Sequence, residues 1–137
     1  MANQELISGL NQALNREVTT FLRYMLQSAQ IQGAAWEPVR LMYGEEVPDE
    51  VGHATYLAEK IVMLGGTPKL APDLTPPPKD PRDMLRHDIE QEQIDVVHYL
   101  KLASMAEKDG LADLKMKMEE QAADEARHGE RMRRMLA

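Results

Sequence analysis

Glu50-Val51-Gly52-His53 is a Glu-x-x-His step, and Glu125-Ala126-Arg127-His128 repeats it 75 residues later. A lone glutamate in an apolar pattern precedes each by 33 residues, Glu17 before Glu50 and Glu92 before Glu125. On a helix, residues three apart share a face, one turn from each other. Two helices giving one Glu each, and two giving Glu with His, make the ligand set of a dinuclear metal site inside a four-helix bundle. One such step alone says little. Two, with matching upstream glutamates, constrain both the fold and the chemistry.

The surrounding pattern supplies four helices. The first is expected over about residues 4–32, with Asn3 as N-cap and Gly33 as the residue just past its end. Its stripe reads Ile7, Leu10, Leu14, Glu17, Phe21, Tyr24, Ser28. The second, over about 37–64, opens with Pro38 in its first turn and closes on Gly65-Gly66. It carries Tyr43, Glu46, Glu50, His53, Leu57 and Ile61 on one face. Pro48 lies inside it, where the missing N–H and the ring predict a kink or bulge. The third spans about 83–108, with Leu85, Ile89, Glu92, Val96, Tyr99 and Ala103. The fourth spans about 112–135, with Leu114, Met118, Gln121, Glu125, His128 and Met132. Short turns make each consecutive pair an antiparallel hairpin, and the hairpins are the two halves of the repeat.

Residues 65–82 hold six prolines, which excludes helix or central strand. That length of extended chain reaches from one end of a bundle to the other, so the second and third helices can run parallel. The fold expected is all-α, an antiparallel four-helix bundle with a long crossover, as one domain over residues 1–137.

Composition excludes several classes. No apolar run is long enough to span a membrane. The start, Met1-Ala2-Asn3-Gln4-Glu5-Leu6, lacks the pattern of a signal peptide, so a cytoplasmic location is expected. With no cysteine there are no disulfides, thiolate metal sites or rubredoxin-type iron centres on this chain. A net charge of −7 disfavours nucleic acid and favours cations.

Four carboxylates on inward faces repel one another and pay for desolvation. Two multivalent cations remove both problems. A metal-free ionic network would cost stability instead. Bridging is expected from Glu50 and Glu125, which neighbour the histidines, with Glu17 and Glu92 terminal. Carboxylate with imidazole suits iron or manganese, and also zinc. Tyr24 and Tyr99, each seven residues after a ligand Glu, are placed to bond the ligands or to donate electrons. His87 and His98 fall far off the ligand face and read as surface residues.

At these residues the chain resembles bacterioferritin and the wider ferritin-like di-iron carboxylate superfamily. The likeness lies in Leu14-Asn15-Arg16-Glu17 with Tyr24, the Trp36 region, Asp49-Glu50-Val51-Gly52-His53-Ala54, Met84-Leu85-Arg86 before Asp88, and Asp124-Glu125 with His128. The resemblance implies that Glu17, Glu50, His53, Glu92, Glu125 and His128 bind two iron ions. It implies a ferroxidase that oxidises Fe(II) with dioxygen or peroxide, in storage or detoxification. It places Tyr24 beside the site, and Glu46 and Glu119 where further iron can bind. It also implies a homodimer or larger homo-oligomer. Two departures bear on it. Val51 stands where that family carries its haem-ligating methionine, so no haem is expected. Ala137 ends the sequence where the family continues into a short fifth helix, so a shell would have to form without that helix, as in mini-ferritins. The alternative is a rubrerythrin-like peroxidase or oxidase with the metals as cofactor, towards which Asp95 on the third helix leans.

Overall fold

The computed structural model describes residues 3–137. Four long helices form: α1 (Gln4–Gln30), α2 (Glu37–Met63), α3 (Pro81–Lys108) and α4 (Ala112–Leu136). Their ends follow local chemistry. α1 stops two residues earlier than expected. Ile31 turns extended, and Gly33, at φ +103°, opens a 3-10 turn over Ala34–Trp36 instead of closing the helix. Asn3 makes no capping bond; its side chain reaches Asp109 at the far end of α3. α3 starts at Pro81, capped by the Asp80 carboxylate accepting from the Arg82 N–H at 2.8 Å. Gly110, at φ +73°, ends α3 while the Leu111 N–H returns to the Ala106 carbonyl at 2.9 Å. α2 is one helix across Pro48, not interrupted by a bulge. Gly44, whose carbonyl the proline leaves without a donor, sits against α1: a Cβ there would lie 3.2 Å from Ser28 Oγ.

α1 packs on α2, and α3 on α4, as two hairpins. Two apolar layers fill the interior. Leu6, Leu10, Leu57, Ile61, Leu102 and Leu114 form one; Tyr43, Met42, Met84, Leu85 and Met132 form the other. α2 runs from Val39 in the second layer to Ile61 in the first, and α3 from Met84 to Ala106 in the same direction, so they are parallel. The glutamates at 17, 50, 92 and 125 fall between the layers.

The crossover lies along α1 in a regular way. Asn11 donates to the Thr67 carbonyl and accepts from the Lys69 N–H. Asn15 donates to the Lys69 carbonyl at 2.8 Å and accepts from the Ala71 N–H. The Asp73 N–H reaches Thr19 Oγ1 at 2.9 Å. Every fourth helical residue meets every second residue of the strap. Both steps are about 6 Å, four helical rises against two extended ones. The side chains thus satisfy backbone groups that a proline-rich segment cannot pair with itself. Asn15→Ala deletes two of these bonds and should lower stability by about 1–2 kcal/mol. Thermal melting together with faster proteolysis inside residues 67–80 checks this, with helical content unchanged.

Candidate metal centre

All six expected ligands converge at the centre of the bundle. Their ligand atoms form two groups, Glu17, Glu50, His53, Glu125 and Glu50, Glu92, Glu125, His128, each within 4.8 Å internally. Glu50 and Glu125 belong to both. The four glutamates are 0–1% exposed, and the two histidines 7% and 8%.

The halves of the repeat cross over in the surrounding hydrogen bonds. Tyr99 donates to Glu17 Oε2 at 2.7 Å, and Tyr24 donates to Glu92 Oε2. Each tyrosine therefore fixes the lone glutamate of the other half and leaves that glutamate's Oε1 free. The histidines do the same. His53 Nε2 lies 3.0 Å from Asp124 Oδ2, and His128 Nε2 lies 3.4 Å from Asp49 Oδ2. Each aspartate directly precedes the Glu of the opposite Glu-x-x-His. An outer carboxylate on one ring nitrogen orients the other nitrogen inward.

The inner atoms are left without partners. Both oxygens of Glu50 and of Glu125, Oε1 of Glu17 and of Glu92, and Nδ1 of His128 are buried with no hydrogen bond. His53 Nδ1 differs, lying 2.6 Å from Glu17 Oε2. So many converging buried lone pairs are costly unless cations take them. The donor set, oxygen with imidazole, fits two iron, manganese or zinc ions.

The electrostatics report the same crowding. Burial, then the neighbouring glutamate charges, hold the Glu50 and Glu125 carboxyls well above the usual carboxylate range. Burial also raises Glu92, against the Tyr24 bond that lowers it. Burial alone would depress both histidines. For His53 the bonds to Glu17 and Asp124 outweigh it and raise the pKa, while His128 stays low.

Other residues agree with expectation in part: Glu46 lies on the inward face as expected, while Glu119, His87 and His98 do not sit as expected. Glu46 is buried one turn before Glu50, with both oxygens unpartnered and its carboxyl pushed by burial up to about 8. Glu119, expected at a comparable acidic position, is exposed and paired with Lys115 at 3.1 Å, because it lies on the outer face of α4. His98 is half-buried, not a surface residue. Its Nε2 lies 3.1 Å from the Gly9 carbonyl across the α1–α3 seam, and it points away from the centre. His87 is also half-buried, beside Arg23 and Asp73. The residues at 49 and 124 were legible as a pair through the offset of 75. A buried network of Arg23, Gln27, Tyr43 and Asp88 was not. Asp88 accepts from all three at 2.7–2.8 Å, and the Tyr43 ring packs tilted against Tyr24, centroids 5.0 Å apart. Asp95, 3% exposed, is held by Arg16 Nε at 2.5 Å and lifted by burial to about 6.

A family model described as Ferritin-like domain matches residues 7–137. The chain is 28% identical over 89 residues to the bacterial ferritin of Pseudomonas aeruginosa, a match covering 65% of this chain and 58% of that relative's length. A crystal structure of ferritin-like, diiron-carboxylate proteins from Bacillus anthracis superposes with a TM-score of 0.93 at 35% identity, covering 98% of this chain and 96% of that one. The bacterioferritin-related protein of Bacteroides fragilis, described as a dodecameric thioferritin, gives 0.82 at 23% identity, with 97% and 84% covered. At that identity the likeness shows the fold alone. No helix among the described residues is long and apolar enough to cross a membrane.

Proposed function

Given that this chain belongs to the ferritin-like domain family, we propose that it binds two Fe(II) ions at the centre of its bundle and oxidises them with dioxygen or peroxide. The observation that supports this best is the set of inward lone pairs on Glu17, Glu50, Glu92, Glu125 and His128, buried and without partners. Four carboxylates carry four negative charges, which two divalent ions cancel. Glu50 and Glu125 belong to both groups and would bridge; Glu17 with His53, and Glu92 with His128, would each hold one ion. Tyr99 and Tyr24 hold the terminal carboxylates by their outer oxygens, and Asp124 and Asp49 do the same for the histidine rings. The centre is therefore oriented before iron arrives, which lowers the ordering cost of binding. The Bacillus anthracis relative, described as a diiron-carboxylate protein, supports iron as the metal. The chain is proposed to assemble as a homodimer or a larger homo-oligomer.

A second reading keeps the metals as cofactor in a rubrerythrin-like peroxidase. Asp95 favours it: a buried carboxylate three residues after Glu92, with Oδ2 unpartnered. Arg16, which occupies its other oxygen, weighs against its use as a ligand. Stopped-flow Fe(II) oxidation separates the two. Turnover continuing beyond two Fe(II) per chain is the expected result and makes iron the substrate. One burst of two, followed by peroxide turnover with an external reductant, would establish the cofactor reading.

A further inference from the structure

Tyr24 and Tyr99 occupy matching places in the repeat, but their neighbours differ. Tyr99 shares its layer with Met118. The residue 75 positions before Met118 is Tyr43, and it packs on Tyr24 with ring centroids 5.0 Å apart. Tyr24 donates to Glu92, and Tyr43 donates to Asp88 Oδ2 at 2.7 Å. Two phenols thus stand in line between an expected metal ligand and a second buried carboxylate. Tyr24, Tyr43 and Asp88 are all 0% exposed. Arg23 already pairs with Asp88 Oδ1, and Gln27 already donates to Oδ2. The Tyr43 hydroxyl is therefore a further donor, added to a carboxylate whose two oxygens have partners without it.

A phenol so placed is a ready one-electron donor. Burial, then the Asp88 charge, push the Tyr43 pKa far up, so it keeps its proton at any working pH. Loss of an electron turns a phenol into a strong acid, and a carboxylate at hydrogen-bond distance then takes the proton. The rest of this layer needs such a donor. Met42, Met84 and Met132 are 0% exposed and lie in the same layer as Tyr24 and Tyr43. A thioether oxidised to sulfoxide becomes polar and disrupts a core. Trp36 packs on this layer too, but the Arg82 guanidinium stands 5.3 Å over its ring. A cation there opposes a positive charge on the indole.

We propose that Tyr43 is a sink for surplus oxidising equivalents from the dinuclear centre, filled through the Tyr24 ring with Asp88 taking the proton, and that it spares the methionines around it. This rests on the dinuclear reading above. Peroxide that reaches a centre already holding Fe(III) finds no Fe(II) to oxidise. One electron then passes inward from the Tyr24 ring while its proton shifts to Glu92. An electron from Tyr43 refills Tyr24, and that proton returns. The net change is one electron to the centre, one proton from the Tyr43 hydroxyl to Asp88, and a neutral tyrosyl radical at Tyr43. A one-electron donor of the ascorbate class restores Tyr43, with Asp88 giving its proton back. Repeated, this takes peroxide to water with solvent protons and consumes no Fe(II).

Electron paramagnetic resonance of the Fe(III)-loaded full chain, freeze-quenched after peroxide, tests this. Wild type should give a tyrosyl signal that forms measurably more slowly in D2O. Tyr43→Phe keeps the ring and loses only the hydroxyl; it should shorten the signal's lifetime by about tenfold. Tyr24→Phe should prevent the signal, and Tyr56→Phe, which alters a ring on the other layer, should leave it. Peptide mass spectrometry should find sulfoxide at Met42, Met84 and Met132 several-fold higher in Tyr43→Phe than in wild type. An unchanged lifetime in Tyr43→Phe, sulfoxide at the wild-type level, or no solvent isotope effect would overturn the proposal. So would a loaded wild-type chain without a tyrosyl signal. Should Tyr43→Phe lose helicity, a fluorotyrosine in place of Tyr43 decides. Fluorine splitting in the signal supports the sink, and its absence counts against it. A wild-type chain that never holds two iron ions fails the dinuclear reading, which is a separate outcome.

Discussion

Glu50→Ala is expected to abolish two-metal binding, and Glu125→Ala to do the same, because each of these carboxylates reaches both groups of ligand atoms. Losing either removes an oxygen from both ions at once and leaves three carboxylates to hold four positive charges. Occupancy measured by dialysis should fall from two metals per chain to one or none, and iron oxidation should fall with it by several orders of magnitude. His98→Ala is the control. That residue touches the Gly9 carbonyl and none of the ligands, so it should keep two metals and lose only modest stability. If His98→Ala lost metal as severely as Glu50→Ala, the inward face of α3 would be wrongly assigned. The isosteric Glu50→Gln adds a second check. In the metal-free protein it should melt higher than wild type near pH 7.5, since burial raises the Glu50 carboxyl well above the usual range and an amide removes the cost of holding it in the core at that pH.

The second large effect is in the pH dependence of metal stabilisation. Glu50, Glu92 and Glu125 are held well above the carboxylate range by burial, and Glu46 is raised to about 8. A carboxyl raised in the folded state contributes its stability in full below its unfolded pKa, near 4.5, and loses it as pH rises through the folded value. The metal-free protein should therefore melt lower from pH 5 to pH 8. His53, raised, acts in the same direction; His128, lowered, acts against it. Metal binding needs the same carboxylates bare, so the loaded protein behaves oppositely. An ion present at about a thousand times its Kd adds about 4 kcal/mol, roughly 10–20 °C for a chain of this size. The gap in Tm between iron-loaded and metal-free protein should widen from pH 5 to pH 8. A constant or narrowing gap would place the metal on the acidic surface.

What the sequence disclosed, it disclosed through periodicity. Helical spacing located all four helices to within two residues, since caps, prolines and glycines mark their ends. The offset of 75 brought six ligands together on paper, and the same offset held the aspartates at 49 and 124. Residues that break the repeat were hidden from that reasoning. Arg23, Gln27 and Asp88 have His98, Leu102 and Ala13 as their counterparts, so nothing in one half announces the network in the other. His98 was misjudged for a related reason. Its angle on α3 excluded it from the ligand face but could not reveal α1 lying close beside it, where a Cβ on Gly9 would stand 2.6 Å from Leu102 Cδ2.

The strap along α1 sets a rule of parity. Asn11, Asn15 and Thr19 meet residues 67, 69, 71 and 73, every second position, and two of the three residues between are prolines, which have no N–H to offer. Adding or deleting one residue before position 71 would exchange the two sets and strand the asparagines. Adding or deleting two would shift the strap by one rung and restore the pairing. Viable crossover lengths should therefore be quantised in steps of two residues, each matched to one turn of α1. A segment that looks like spacer has its length measured against the helix beneath it.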